Sequence, residues 1–367
     1  MKALSVFLVR PTLGAGGADR ITLTLLQQLD RQRFNPTLVL NQSRGELLDK
    51  VPRDVEVLSL DAPGIFNAAR PLRRVVDERR PDVVFSTSSG SNVTAALAAR
   101  RPGPRLVLSE RNGLVRDQPA HKLWPLLLAK RLLYSRADCV TAVSAGVAED
   151  LRRRLHLPAD RLSVVYNPVV TPELTTLAEE PVDEPWFDED VPVLLAAGRL
   201  VNAKGFDLLL EALARIHKQT TCRLIVLGEG PLRAQLSARA QSLGVADSVK
   251  LPGFVANPYA FMRRCTAFVL PSRFEGLPGV LIQAMASGAA AIAADCPFGP
   301  SEVIRSGKNG ILVPPKDPRA LADELLTLLQ DDTGRRALGE AARTSAQRYT
   351  LEATMPNYVR ALDPDHS

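Results

Sequence analysis

Long apolar stretches are missing from this chain of 367 residues. No run of about 18 apolar residues occurs, so no segment is expected to span a bilayer. Cysteine is scarce: Cys139, Cys222, Cys265 and Cys296 lie far apart and form no C-x-x-C pair. That pattern argues against a disulfide framework and against a cysteine-based metal site. Cys139, Cys222 and Cys265 sit in or beside apolar runs and read as small buried hydrophobes. There is no low-complexity tract, and no repeat of the roughly 20–50-residue period that marks solenoids. An aromatic-rich basic motif of the RNA-binding kind is also absent. The pI of about 9.3 is therefore not read as nucleic-acid binding. In the opening MKALSVFLVRPTLGAGGADR the apolar run is short, Arg10 and Pro11 break it, and a glycine-rich turn follows. We read it as a buried first strand, with cytoplasmic residence expected.

What is present is ordinary for a globular protein, with 46% hydrophobic and 23% charged residues. The length exceeds the usual single-core limit of about 250–300 residues, so two domains are expected. Short apolar runs recur at residues 4–9, 37–40, 55–60, 83–86, 106–109, 139–143 and 162–165. A second series follows at 193–197, 222–227, 248–251, 267–270, 290–293 and 310–313. Helix-like segments fill most of the gaps. Near-continuous apolar strands alternating with helices predict parallel sheets covered on both faces, and two such blocks predict two doubly wound α/β domains. Between them, Pro168, Pro172, Pro181, Pro185 and Pro192 interleave with Glu179, Glu180 and the acidic stretch 183–190, a composition that suits a linker. The expected division is a first domain over 1–170, a linker over 171–192 and a second domain over 193–345. The net charge of +6 is uneven: residues 1–170 hold 26 basic and 16 acidic side chains, residues 171–367 hold 20 and 24. The first half thus suits an anionic partner, such as lipid headgroups or a phosphorylated acceptor.

Four glycine-rich or strand-following loops carry candidate chemistry. Gly14, Gly16 and Gly17 precede Asp19 and open a helix. Such a turn lets backbone amides approach a phosphate, but Asp19 stands where a dinucleotide fingerprint needs glycine. After the first strand of the second block come Gly198, Arg199, Lys204 and Gly205. Arg199 and Lys204 are five apart on one loop, and a fork and a point charge converging there suit a diphosphate. A third loop holds Gly228, Glu229 and Gly230. The fourth holds Glu275, Leu277, Pro278, Gly279, Val280 and Gln283. Proline suits a helix start near Pro278, which would leave the Gly279 and Val280 amides for a phosphate oxygen. Gln283, about 1.5 turns into that helix, has an amide suited to two vicinal hydroxyls. A carboxylate for sugar hydroxyls, amides for phosphate and a further polar group for ribose fit a nucleotide sugar.

In their order, residues 198–205, 227–231, 251–255 and 272–286 resemble the donor domain of the retaining GT-B glycosyltransferases of family four. The loop 16–20 resembles that family's N-domain glycine loop. Residues 295–302 and 109–112 look closest to the branch that acts on polyprenyl-diphosphate-linked and surface-polysaccharide acceptors. The resemblance implies a GT-B architecture of two Rossmann-like domains facing a central cleft, with residues 346–367 returning to the first domain. It implies that Arg199 and Lys204 hold the donor diphosphate and that Glu275 holds hydroxyls of the transferred sugar. Backbone groups at Leu277, Gly279 and Val280 would touch sugar and phosphate, and Val255 would line the nucleobase pocket. Gly16 and Gly17 would close over the diphosphate, with Gly198 and Glu229 also on the donor side. Arg111 and Asn112 would face the acceptor. Glu110 is a candidate base, with a hydrogen-bonding structural role as the alternative. The family's pattern is Glu, seven residues, Glu; here Gln283 replaces the second, which keeps hydrogen bonding but loses charge assistance. Retention of anomeric configuration and no metal or other cofactor are expected. A GT-B epimerase and a non-catalytic scaffold remain as alternatives.

Residues 111–136 carry six basic side chains against Asp117 alone, with Trp124, Leu128, Leu132 and Tyr134 among them. Such a segment suits an anionic membrane surface, although packing of its leucines inside the domain is the other reading. Pro125 is expected to break a helix there near its start, and the final helical segment 341–362 is expected to break near Pro356.

Overall fold

The computed structural model describes residues 2–14, 16–114 and 120–363, without the side chains of residues 120–123 and 126. The chain divides into two compact units. The first takes the residues up to Pro168 together with those from Thr354 onward, and the second is Val169–Ala353. Among the described residues no helix is long and apolar enough to cross a membrane.

The first unit runs β1 (Leu4–Arg10), α1 (Gly17–Gln28), β2 (Phe34–Leu40), β3 (Glu56–Ser59), α2 (Ala69–Arg79), β4 (Val83–Ser86), α3 (Ser89–Ala98), β5 (Arg105–Glu110), α4 (Ala120–Tyr134), β6 (Cys139–Ala142), α5 (Ala145–Leu155) and β7 (Leu162–Val164). Its sheet is parallel, in the order β3-β2-β1-β4-β5-β6-β7. β1 pairs with β2 from Leu4↔Phe34 to Arg10↔Leu40. The interior strands β1, β4, β5 and β6 are buried almost throughout, as a sheet with both faces covered requires. The edge strand β3 is largely exposed.

The second unit holds α6 (Pro172–Ala178), β8 (Val193–Ala197), α7 (Phe206–Ile216), β9 (Arg223–Leu227), α8 (Arg233–Ser242), β10 (Val249–Gly253), α9 (Pro258–Arg264), β11 (Ala267–Leu270), α10 (Gly279–Ala286), β12 (Ala291–Ala294), α11 (Pro300–Val303), β13 (Ile311–Val313), α12 (Pro318–Gln330) and α13 (Asp332–Ala346). Its parallel sheet has the order β10-β9-β8-β11-β12-β13. Leu194, Leu209, Leu213, Leu224, Ile292 and Leu325 are fully buried in its core. α14 (Leu351–Leu362) begins in this unit and ends in the first. There Tyr358 packs edge-on against Phe85 at 6.3 Å, and Arg33 pairs with Asp363 at 3.1 Å.

Three local expectations differ from the structure. The proline- and acid-rich stretch is not a free linker but part of the second unit. Pro172 and Pro185 start a helix and a 3-10 turn. Four of its acids find bases: Glu179 pairs with Arg263, Glu184 with Lys250, Asp188 with Arg264 and Glu189 with Arg223. Trp186 is buried, with the Lys250 ammonium 4.0 Å from its ring centroid. The C-terminal break falls at residues 347–350, where the Tyr349 carbonyl accepts from the Val169 and Val170 amides. Pro356 lies inside α14, and Pro125 likewise lies inside α4.

Candidate active site

Strand order in the second unit reverses at β8, with β9 and β10 to one side and β11 to β13 on the other. The connections leaving the carboxyl ends of β8 and β11 therefore flank one spot, where open α/β sheets bind ligands. Two glycines let these loops approach. Gly205 has φ 66°, and a Cβ there would stand 2.1 Å from the Pro271 carbonyl oxygen. Gly228 has φ 126°, and its Cβ would stand 2.1 Å from the Gly198 oxygen. Any side chain at either position would force the loops apart.

At this spot Lys204 and Glu275 meet across 71 residues of sequence. The Lys204 Nζ donates to Glu275 Oε1 at 2.6 Å, and Ser272 Oγ donates to the same oxygen at 2.7 Å. The two side chains of the pair are 20% and 8% exposed, so solvent screens this pair less than a surface one. Glu275 Oε2 takes no hydrogen bond among the described residues. Arg199 is exposed, and its guanidinium has no ion pair or hydrogen bond among the described residues. One paired cation, one unpaired cation and one oriented carboxylate thus stand on the two loops of the switch point.

Arg273, two residues before Glu275, was not anticipated as a site residue. Its Nη1 and Nη2 donate to the two carboxylate oxygens of Asp207 at 2.7 and 2.6 Å. Burial pushes the Asp207 carboxyl up, but the Arg273 fork outweighs it and holds the group below its ordinary value. The sequence signal was an arginine two residues before the candidate carboxylate and an aspartate, Asp207, in the first turn of α7.

The start of α10 is less open than expected. Gly279 N–H donates to the Leu277 carbonyl at 2.9 Å, so it is engaged within the turn. The Val280 amide keeps no backbone partner among the described residues. Gln283 is half-buried, and its Nε2 reaches the Tyr259 hydroxyl at 3.4 Å. Val255, just past β10, is half-buried. Glu229 is exposed and bound to Arg233 at 2.6 and 3.0 Å. Glu229 stands in the loop after β9 and Arg233 opens α8, so the pairing joins the loop to the helix start. Cys296 is buried nearby. Burial, then the charge of Glu275, pushes its thiol up to about 12, which makes it a neutral neighbour and not a nucleophile.

The first unit's sheet reverses between β1 and β4. Gly16 caps α1, with the Asp19 carboxylate accepting from its N–H at 3.2 Å, and Gly17 has open space where a Cβ would stand. Asp19 also pairs with buried Arg10, whose Nη1 donates to the Thr87 carbonyl at 3.1 Å. Burial lowers the Arg10 pKa, with Asp19 opposing and Arg111 adding to the fall. Arg111 Nη1 donates to Asn167 Oδ1. Arg10 Nε, Arg111 Nε and Arg111 Nη2 are buried without partners among the described residues. Asn112 is exposed.

Glu110 is 1% exposed. It accepts from Lys130 Nζ at 2.9 Å, from the Tyr134 hydroxyl at 2.6 Å and from Ser89 Oγ. Burial pushes the Tyr134 phenol well up, helped by Glu110. With both oxygens engaged, the geometry supports the structural reading of Glu110 over a proton-accepting one. Among the described residues no group of three or more His, Cys, Asp or Glu side chains is placed to hold a metal ion.

Two doubly wound α/β units in one chain are the architecture of the GT-B glycosyltransferases. Solved structures share that fold. An Anabaena protein, HepE, in complex with UDP and glucose superposes with a TM-score of 0.82 at 20% identity over 98% of this chain and 100% of that one. A glycosyltransferase from Rickettsia africae superposes at 0.83 with 17% identity over the whole of both chains. In sequence, the family model Glycosyltransferase Family 4 matches residues 15–172, and the model Glycosyl transferases group 1 matches residues 179–345. The lipopolysaccharide core biosynthesis glycosyltransferase LpsE of Rhizobium meliloti is 30% identical over 360 residues, 95% of this chain and 96% of that one. The Campylobacter jejuni N-acetylgalactosamine-N,N'-diacetylbacillosaminyl-diphospho-undecaprenol 4-alpha-N-acetylgalactosaminyltransferase is 28% identical over 95% of this chain and 96% of its own length. The chain belongs to this family of glycosyltransferases.

Proposed function

We propose that this protein is a retaining glycosyltransferase that moves a hexose or N-acetylhexosamine from a nucleotide sugar, a UDP-sugar foremost, to a lipid-linked or polysaccharide acceptor in surface-glycan synthesis. The observation that carries this reading is the Lys204–Glu275 pair at the switch point, with Arg199 unpaired on the same loop as Lys204. Glu275 would take hydroxyls of the transferred sugar through Oε2. Lys204 and Arg199 would meet the charge that grows on the diphosphate as the anomeric C–O bond breaks. The acceptor hydroxyl attacks the anomeric carbon from the face the diphosphate leaves, and its proton passes to the departing phosphate oxygen. We read the reaction as metal-independent, with positioning and fixed charge supplying the catalysis. Val255, Gln283 and the Val280 amide would hold the nucleoside and phosphate; Arg111 and Asn112 would meet the acceptor. The names of the C. jejuni relative and of HepE in complex with UDP support a lipid-linked acceptor and a UDP donor.

We place the protein in the cytoplasm, on the inner face of the membrane. Trp124, Leu128 and Leu132 on α4 are 66%, 43% and 64% exposed. Their spacing of four puts them on one helical face, while Lys130 and Tyr134 turn inward to Glu110. The basic surplus of residues 1–170 adds attraction to anionic lipid. The stretch 115–119 of the basic segment lies outside the described residues.

Incubation with radiolabelled UDP- and GDP-sugars, with and without membrane extract, tests the transferase reading. UDP-sugar turnover that needs the extract, with a product of unchanged anomeric configuration, is the expected result. Donor binding without turnover across a broad acceptor panel would favour a scaffold instead. For the membrane, sedimentation with phosphatidylglycerol-containing vesicles should exceed that with phosphatidylcholine alone. Replacing Trp124 and Leu132 by serine should weaken it at least tenfold, since each buried apolar side chain is worth roughly 1.5–3 kcal/mol. Equal binding to both vesicle types would remove the surface from the proposal.

A further inference from the structure

Lys204 closes a three-residue 3-10 turn, Asn202–Lys204, that ends in left-handed Gly205. So short an element does little to fix a long, flexible side chain by itself. The neighbouring loop does so instead, through one residue. The Arg273 N–H donates to the Ala203 carbonyl at 2.8 Å. Its Nη1 donates to the Asn202 carbonyl at 3.0 Å, and its two Nη atoms form the fork with Asp207. Arg273 therefore grips both residues before Lys204 and the carboxylate three residues after it. Glu275 stands two positions along the same strap. The Arg273 side chain is 13% exposed, so its planar fork is spent on protein groups.

We infer that Arg273 is a positioning residue that acts through Lys204, setting where the ammonium stands against Glu275 and the donor diphosphate. The inference rests on the reading that Lys204 meets that diphosphate. Lysine cannot replace the fork, because an ammonium cannot bind both carboxylate oxygens in one plane while also reaching the Asn202 carbonyl. A catalytic group displaced by about 1 Å can cost on the order of a hundredfold.

The test is a double-mutant cycle of Arg273→Lys and Lys204→Met, read as kcat/KM for the donor and as affinity for UDP, or for GDP if turnover selects it. Alone, Arg273→Lys should lower both readouts at least tenfold. In the Lys204→Met background it should lower them less than twofold, because the group it positions is gone. Equal losses in both backgrounds would overturn the inference and leave Arg273 a general structural residue. If Arg273→Lys does not fold, Asp207→Asn replaces it in the cycle, and the same non-additivity is expected with a smaller loss. If Lys204→Met alone leaves donor affinity and transfer unchanged, the donor-site reading itself fails. That outcome is distinct from additivity, in which Lys204 matters and only the role of Arg273 falls.

Discussion

Replacing Glu275 by glutamine is expected to lower sugar transfer about a hundredfold, the scale seen when one preorganised polar contact to the transition state is removed. Glutamine has nearly the same shape, so the loop between Ser272 and Pro278 should keep its course. What changes is charge. Lys204 loses the carboxylate it touches at 2.6 Å, and Ser272 loses the charged acceptor at 2.7 Å. The sugar hydroxyls lose a charge-assisted contact, roughly twice as strong as a neutral one. Released from Glu275, Lys204 should still bind the diphosphate. Donor affinity is then expected to fall much less than turnover. Radiolabelled transfer gives one quantity and UDP-sugar titration the other. A glutamine variant within threefold of the parent in turnover would exclude Glu275 from the reaction.

The second large effect concerns stability. Lys130→Met should cost the first unit about 3–5 kcal/mol, the range for removing one partner of a buried ion pair. Glu110 is 1% exposed, and Lys130 is its only cationic partner among the described residues. Tyr134 and Ser89 would remain as hydrogen-bond donors to it, which favours the lower end of that range. The double variant Glu110→Gln, Lys130→Met should recover much of the loss, because the stranded charge is then gone. An exposed pair such as Arg74–Glu78, at 3.7 Å, should change stability by about 1 kcal/mol or less when broken. Urea unfolding checks all three. The same series separates the two readings of Glu110. A structural role predicts that Glu110→Gln loses stability while its folded fraction keeps kcat. A base predicts lost kcat at unchanged stability.

Much of this protein is legible from its residues in order. Each strand of both sheets lies on or beside an apolar run visible in the sequence, because a covered parallel sheet needs strands that are apolar on both faces. Gly198, Lys204 and Glu275 were legible as site candidates because they fall on the loops just after such strands, where α/β folds keep their ligands. Hydrogen-bond partners were much harder to read. Glu229 was read as a donor contact, and its ion pair with Arg233 was not anticipated. The Gly279 amide looked open until the turn closed on the Leu277 carbonyl. The stretch 171–192 looked like a linker because prolines and acids are common in linkers. The bases that pair with four of those acids lie 34 to 84 residues further along the chain.

The sequence by itself therefore determined the class of fold, the duplication of the α/β unit and the loops on which chemistry would sit. All of these follow from local alternation of apolar runs with turn residues, which burial and backbone geometry impose residue by residue. Only the tertiary structure decided that Lys204 pairs with Glu275 and that Arg273 straps the two loops together. It also decided that Glu110 is spent on Lys130 and Tyr134. The reason is strand order. Setting β11 beside β8, past β9 and β10, brings residues 71 apart to within 2.6 Å. That adjacency is a non-local choice made by packing the whole sheet, and no local spacing in the chain encodes it.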